Sequence, residues 1–401
     1  GIYSMKFEEV LDITKQAVAQ SLGAEYAEKV GELTAQDDAK LIDVGRAVTE
    51  TEATTERYTK ALMSIIGRIE FDVRKYKSSV PSIVVEPMEW GGFSEEVNFE
   101  ISDNLIEDPM YNLTDGTSYA EAEHKFYQPK AVVKIFEEAK AFLIPISITR
   151  EILRESFYSW DKLNSYISGI RNAIANTKAI ILETYTHILL SSAAAISIRG
   201  TQTAVNLLTM AKNEGVVADT MTAEQAVKDT AFLTYATKKI SLYRKYMRRN
   251  TKGVFNSGAV TTFTPKDDNT LVLISEFAEN IKTLVKANTY NDEYIGVGEY
   301  YDIPCWQAFK AEDTPNFDFE TDTTVSIVAD ATNKLGIGTT AFEKSYIVGI
   351  AFDKRAIGIC PYRTKVTTGY TAIGDFTNEF HHLLFNYKLN NNFNIVAFVV
   401  E

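Results

Sequence analysis

Thiols and imidazoles are scarce in this 401-residue chain, which has Cys305 and Cys360 as its two cysteines and His124, His187, His381 and His382 as its four histidines. Two lone thiols, each beside a proline, set neither a disulfide framework nor a zinc-site spacing, and read as small buried hydrophobes. Glu379 and His381 would share one strand face as two metal ligands, but no third ligand stands at a fitting distance in sequence, so no metal and no other cofactor is expected. His187 falls inside a long helical pattern, where packing or surface placement is its expected role. No apolar run approaches the roughly 20 residues that span a bilayer. The opening GIYSMKFEEVLD lacks the basic, apolar, small-residue order of a secretory signal. The expectation is a protein without membrane association that works in the cytoplasm where it is made. A Gly-Lys-Ser/Thr phosphate loop and a Gly-x-Ser-x-Gly elbow are both missing. Gly296-Val-Gly298 and Gly336-Ile-Gly338 lack the third glycine and the following helix of a dinucleotide fingerprint, and read as bulges or turns. Carboxylates are plentiful, but in acid-rich loops where any spacing can be found. No enzyme is expected.

Basic residues are missing from one whole region: Ser78 to His124 contains neither Lys nor Arg. The same region holds Glu86, Glu89, Glu95, Glu96, Glu100, Asp103, Glu107, Asp108, Asp115, Glu121 and Glu123. By composition this is either a solvated acidic loop or a surface that docks on a basic patch. The net charge of −13 argues against wrapping of nucleic acid, which needs a phosphate-neutralising surface. One helix end, through Tyr243, Arg244, Tyr246 and Arg248, does combine aromatic and basic residues. In an acidic chain it reads as an intersubunit or helix-dipole feature, with weak contact to DNA as the alternative.

A chain of this length buries about three quarters of its unfolded surface and divides into about two or three domains. Residues 1–50 read as polar helical segments, with Phe7, Val10 and Leu11 on one stripe and Gly23 as a stop. Such segments bury little alone and should order against a partner. Thr51 to Tyr76 forms a stronger helix with Leu62, Ile65, Ile66 and Ile69 on one side. Val97, Phe99 and Ile101 then alternate with polar residues, as do Val133, Ile135, Phe142, Ile144, Ile146 and Ile148 on a return leg. Together they form a long hairpin-like excursion with a ragged tip, far beyond the length of an ordinary loop. The return leg feeds the clearest element, a helix from near Ser159 to Gly200. Leu163, Ile167, Ile170, Ile174, Ile181, Tyr185 and Ile188 make one stripe along about eight turns, on the order of 40 Å. Ser159 or Ser156 can cap it. Burial against a sheet of the same chain is the simpler account of its stripe than a coiled coil.

Farther on, Thr222-Ala-Glu-Gln225 is a capping box for a helix to about Arg249. Leu271 to Ile274 is a short strand and Phe277 to Asn288 is helical. Strands follow at Tyr294 to Val297, Tyr346 to Phe352 and Ile357 to Cys360, with Asp353 to Ala356 as a turn. Phe380 to Leu389 and Phe393 to Val400 close the chain around a turn at Asn390 to Asn392. The class is α+β, without the regular alternation of a doubly wound fold.

The segment from Phe126 to Ile167 resembles the major capsid proteins of tailed bacteriophages with the Hong Kong 97-type fold, whose extended loop enters a spine helix through a stretch like ISITREILRESF (Ile146 to Phe157). EWGGFSEE (Glu89 to Glu96) and TDGTSYAEAEHKFYQPK (Thr114 to Lys130) are similar to the extended-loop limbs of small podovirus-type members. SYIVGIAFDKRAIGI (Ser345 to Ile359) and the closing FHHLLFNYKLNNNFNIVAFVVE resemble the family's strand-turn-strand and final strand pair. The resemblance implies an N-terminal arm over 1–50 and a peripheral domain of 51–87, 145–200 and 361–401. It further implies an extended loop over 88–144 and an axial domain over 201–360. It implies a shell protein that self-assembles as hexamers and pentamers of an icosahedral head enclosing double-stranded DNA. A separate scaffolding protein and a portal would be its partners, and a bacterial host cytoplasm its place of assembly before it joins the virion. The lysine–asparagine bond of some relatives matches no residue here.

Interface residues are expected in two places. Trp90, Phe93, Tyr111, Phe126 and Tyr127 are aromatic anchors of the excursion, because aromatics dominate interface energies; plain intrachain core is the competing reading for each. Lys238, Lys239, Arg244, Lys245, Arg248 and Arg249 form the basic patch that the acidic excursion of a second copy would seek. Other classes remain: a tail or connector part of a virion, and, more remotely, a soluble enzyme of unusual fold.

Overall fold

The computed structural model of the chain describes residues 7–34, 37–68, 94–99, 131–136, 139–199, 204–285, 298–307, 318–328 and 339–401. Four helices come first: α1 (Phe7–Leu22), α2 (Ala24–Gly31), α3 (Asp38–Thr49) and α4 (Glu52–Arg68). Gly23, the expected stop, has φ of 98°, a conformation open to glycine, and it turns the chain from α1 into α2. Val10, Ile13, Ala17 and Val18 of α1 pack with Tyr58, Leu62 and Met63 of α4 and with Phe157, Trp160 and Leu163 farther along. The partner these helices need is therefore supplied by the same chain. Glycine at Gly45 on α3 is a packing requirement, since a Cβ there would lie 2.4 Å from the Cβ of Phe157. The helix expected over Thr51 to Tyr76 is α4 up to Arg68, and its remainder lies outside the described residues.

The excursion's two legs are present at its base as β1 (Ser94–Phe99) and β2 (Ala131–Phe136), paired antiparallel from Ser94 opposite Phe136 to Phe99 opposite Ala131. Its tip, 100–130, lies outside the described residues. β3 (Ala139–Thr149) follows, with Ile144 and Ile148 buried on one face and Leu143 exposed on the other. Pro145 is tolerated because β3 is an edge strand, bonded to β13 alone among the described residues. The strand does not run straight into the long helix. Thr149 accepts a hydrogen bond from the Ile152 backbone and starts the short α5 (Arg150–Ser156) first. Arg150 donates to the carbonyls of Thr49 and Glu50, which ties α5 to the end of α3.

The spine helix α6 (Trp160–Arg199) has 40 residues, about 60 Å at about 1.5 Å per residue. Ser159 accepts from the Lys162 backbone N–H, whereas Ser156 turns its hydroxyl back to Leu153 and caps nothing. By length and composition this helix could cross a bilayer, although no uninterrupted apolar run does so. Its two ends lie in separate protein cores instead. Leu163, Ile167 and Ile174 are buried as expected, but Ile188 is 43% exposed. The reason is geometric. At about 100° per residue Ile188 returns to the Leu163 side, while the second core meets the helix about 120° round, at Leu189 and Ala193.

That second core lies against two sheets. One holds five strands in the order β4-β14-β11-β7-β8, built from β4 (Ala204–Asn206), β7 (Asn269–Ile274), β8 (Tyr301–Ile303), β11 (Ile347–Asp353) and β14 (Ile395–Val399). β4 and β8 join parallel at its two edges, and the inner pairs are antiparallel. β7, β11 and β14 are buried along their whole length. One face meets the spine and the other meets α7 (Leu207–Asn213) and the helices after it. The capping box at Thr222 and Gln225 is formed, but its helix α8 (Ala223–Ala226) is a single turn. Asp229 accepts from the Phe232 N–H at 2.8 Å and starts a new helix, α9 (Thr230–Tyr246), so the expected single helix is two. Two short ladders, β5 (Thr251–Lys252) with β6 (Thr261–Thr262) and β9 (Val325–Ile327) with β10 (Phe342–Lys344), and the helix α10 (Ser275–Asn280) also belong to this half. The strand expected at Tyr294 to Val297 lies outside the described residues.

The other sheet has three antiparallel strands in the order β12-β13-β3, with β12 (Ile357–Thr371) and β13 (Phe376–Leu389) forming a long hairpin. The turn at Asp353 is as expected, closed by the Ala356 N–H on the Asp353 carbonyl at 2.8 Å. The segment 361–401 divides between the two sheets: β13 ends, Asn390 to Asn392 turn the chain, and β14 enters the five-stranded sheet.

Candidate assembly surfaces

The basic cluster sits on the last turns of α9 and the residues after it, where cations suit the negative end of the helix dipole. The fold separates its members. Lys239 donates to Glu214 at 2.6 Å and lies over the Tyr235 ring. That hydrogen bond raises the lysine's pKa and lowers that of the glutamate. Arg244 donates to the side chain of Asn269 at 2.7 Å, to the Asn269 carbonyl at 3.2 Å and to the Glu299 carbonyl at 3.3 Å. Burial pushes its pKa down. Both are fasteners between α9 and its neighbours. Lys238, Lys245, Arg248 and Arg249 are exposed.

Beside Tyr246, already part of the aromatic-basic helix end, the structure adds two apolar groups that the sequence did not single out. Tyr246, Val254 and Phe263 are exposed large hydrophobics at the same end of α9. The β5–β6 ladder places Val254 and Phe263 there, and the Thr264 N–H bonds the Met247 carbonyl at 2.8 Å. Exposed aromatic and aliphatic groups beside flexible cations have the anatomy of a protein interface. The signal in the sequence was weak: two isolated apolar residues in a polar, glycine-bearing loop.

The excursion's anchors, Trp90, Phe93, Tyr111, Phe126 and Tyr127, lie outside the described residues. Of its acids, Glu95 and Glu96 lie on β1, opposite Ile135 and Lys134. Cys305 and Cys360 are buried and unbridged. Burial pushes the Cys305 thiol up to about 11, and it bonds the Gln307 carbonyl, as expected of an inert core residue. His187 is buried on the spine, 4.0 Å from Glu183. Glu379 and His381 share the buried face of β13, and among the described residues no group of three or more His, Cys, Asp or Glu could hold a metal ion.

Comparison with known proteins agrees with this architecture. The sequence profile of the Phi29-like phage major capsid protein family matches residues 16–399. Among solved structures, the capsid of Staphylococcus phage Andhra is similar at a TM-score of 0.50 and 11% identity, over 83% of this chain and 88% of that one. A chain from the structure of head fiber and inner core protein gp22 of native bacteriophage P68 is similar at 0.49 and 12%, over 83% and 88%. The asymmetric unit of the bacteriophage PhiM1 mature capsid gives 0.42 and 10%, over 83% and 90%. The Andhra likeness shows a shared fold. A search of curated proteins finds no match.

Proposed function

Because this chain belongs to the Phi29-like phage major capsid protein family, we propose that it tiles an icosahedral phage head as hexamers and pentamers around packaged double-stranded DNA. The observation that carries this reading is the family match from residue 16 to 399, over a fold in which one long helix joins a helical cluster to two sheets. Its place is the virion capsid and its chemistry is association, with no reaction catalysed. A scaffolding protein and a portal complete the partner set, and the host cytoplasm is the site of assembly. Residues 1–50 serve as the arm, 88–144 as the extended loop, 201–360 as the axial domain, and 51–87, 145–200 and 361–401 as the peripheral domain. The pairing of β14 within the five-stranded sheet supports a link between that last domain and the axial one. Electron microscopy of purified assemblies tests the reading. Closed polyhedral shells are expected, and tubes, rings or a persistently compact monomer would overturn it.

Steering between copies is the second part of this reading. The acidic excursion, Glu86 to Glu123, seeks the exposed Lys238, Lys245, Arg248 and Arg249 of a neighbour, and its aromatic anchors settle beside Tyr246, Val254 and Phe263. Attraction between exposed charges reaches about 10 Å at about 0.1 M salt and accelerates encounter by roughly ten- to a thousandfold. Light scattering is expected to show assembly slowing at least about tenfold as salt is raised through the screening range. A rate indifferent to salt would end the steering idea without touching the shell assignment. Lys239 and Arg244 are already held inside the subunit, so their loss should weaken the fold and leave the salt slope unchanged.

A further inference from the structure

Under the three-stranded sheet runs a row of buried polar groups for which shell building has no evident use. β13 alternates so that Thr377, Glu379 and His381 face inward, with Leu383 and Phe385 continuing the face into the second core. Glu379 is 0% exposed, between Thr368 on β12 and Ile146 on β3, and neither carboxylate oxygen has a hydrogen-bond partner among the described residues. Facing it, the spine contributes Tyr166, whose hydroxyl is likewise without a partner among the described residues and senses the Glu379 charge. Tyr58 of α4 stands beside Tyr166. His381 is 4% exposed, its Nε2 is unpartnered among the described residues, and the charges that reach it are Lys178 on the spine and His382 on its own strand. The other charged residues of the surrounding elements whose side chains are described are exposed or half-buried. Asp12 and Lys15 on α1, Glu52, Arg57 and Lys60 on α4, Lys140 on β3 and Lys365 on β12 are exposed; Glu56 on α4 and Arg171 on the spine are half-buried. Tyr370 on β12 donates to Asp375.

Buried polar atoms are nearly always paired, and among the described residues an ionised carboxylate at Glu379 has no hydrogen-bonded donor or ion-paired cation to replace its hydration. A neutral carboxylic acid tolerates the same place and brings a proton to donate. We propose that Glu379 is a proton-operated latch: as the neutral acid it lets the β12-β13-β3 sheet lie closed on the spine and α4, and on ionising it opens that seam to water. The inference rests on packing inside one subunit and is independent of the shell reading.

The direction with pH follows from two opposed groups. Burial holds the Glu379 acid up at about 8, from an ordinary 4.5, and the His381 ring down at about 4, from an ordinary 6.5. For Glu379 the closed state keeps a proton the open state releases, so closure weakens as pH rises from 4.5 to about 8. For His381 the open state binds the proton, so closure weakens as pH falls from 6.5 to about 4. The two slopes cancel between 4.5 and 6.5, and above 6.5 only the Glu379 slope remains.

Hydrogen exchange of the full chain, corrected for intrinsic rate, tests this. Opening of β12, β13 and the spine around Tyr166 is expected to rise about 30-fold in all as pH is raised from below 6.5 to well above 8, with little change at lower pH down to 4.5. Glu379→Gln should show at least the protection of the parent at pH 6.5 and lose the rise. His381→Gln should keep the rise and lose the acid-side weakening. A flat parent profile, or an undiminished rise in Glu379→Gln, overturns the latch. If the glutamine variant does not fold, infrared titration of the parent decides: a protonated-carboxyl band persisting at neutral pH and vanishing above about pH 8 is required, and its absence is fatal.

Discussion

Trp306→Ala is expected to remove about 3–5 kcal/mol of subunit stability, the range for emptying an aromatic site in a packed core. Among the described residues Trp306 is the largest of the fully buried side chains, and it sits where the five-stranded sheet, the spine and the Val325 strand converge. Its indole N–H donates to the Ile347 carbonyl at 2.7 Å at the start of β11, and its own carbonyl accepts from Ser191 of the spine at 3.0 Å. Truncation therefore opens a cavity and leaves a buried carbonyl short of a donor at one stroke. Folded domains hold only about 5–15 kcal/mol in reserve, so much of the protein is expected in the insoluble fraction. Trp306→Phe separates the two losses. It keeps most of the ring volume and drops the hydrogen bond, at a cost of about 1–3 kcal/mol. Urea denaturation of the unassembled subunit reads both, and equal midpoints for the alanine variant and the parent would contradict the convergence described.

Trp306 also marks where the sequence stops being informative. It stands in Tyr-Asp-Ile-Pro-Cys-Trp, with no periodicity around it, and only tertiary structure makes it central. Elements with a strong period were legible. Phe142, Ile144, Ile146 and Ile148 predict β3 because a strand with one buried face must alternate. The spine is legible because its stripe repeats over many turns. The stripe misplaces Ile188 because one helix serves two cores that approach from different sides, and a linear pattern carries no record of that rotation. Asp229 competes with the capping box upstream, and both caps form, which breaks one expected helix into two.

β13 is the most instructive case. Phe376, Phe380 and Leu384 alternate with Thr377, Glu379, His381 and Leu383, so each face of the strand mixes apolar and polar residues. Nothing local says that the face bearing the acid and the imidazole is the inner one. Side-chain chemistry alone offered a two-ligand metal reading, whereas packing yields a desolvated acid and a desolvated base. The basic cluster on α9 is similar. Six cations look alike in sequence, and only the positions of Glu214 and Asn269 separate fasteners from surface.

Removing residues 91–123 is expected to abolish shell formation while leaving a folded subunit. The core residues of all three hydrophobic clusters lie outside that range. β1 falls within it, and among the described residues β1 pairs with β2 alone, in a two-stranded ladder separate from both larger sheets. Such a ladder is marginal by itself, so its loss should shift the melting temperature of the unassembled subunit little. For assembly the same deletion is severe. It takes away Phe93 and Tyr111, two of the five anchors, and most of the acids that would reach a neighbouring copy, and with them the charge complementarity of the proposed contact. The expected result is a monodisperse subunit with native-like circular dichroism and no closed particles at any salt concentration. Normal shells from the shortened chain would strip the excursion of its role and return the burden of assembly to the axial and peripheral surfaces. An unfolded product would place part of the excursion inside a core, where a β1–β2 ladder unbonded to either larger sheet among the described residues gives no reason to put it.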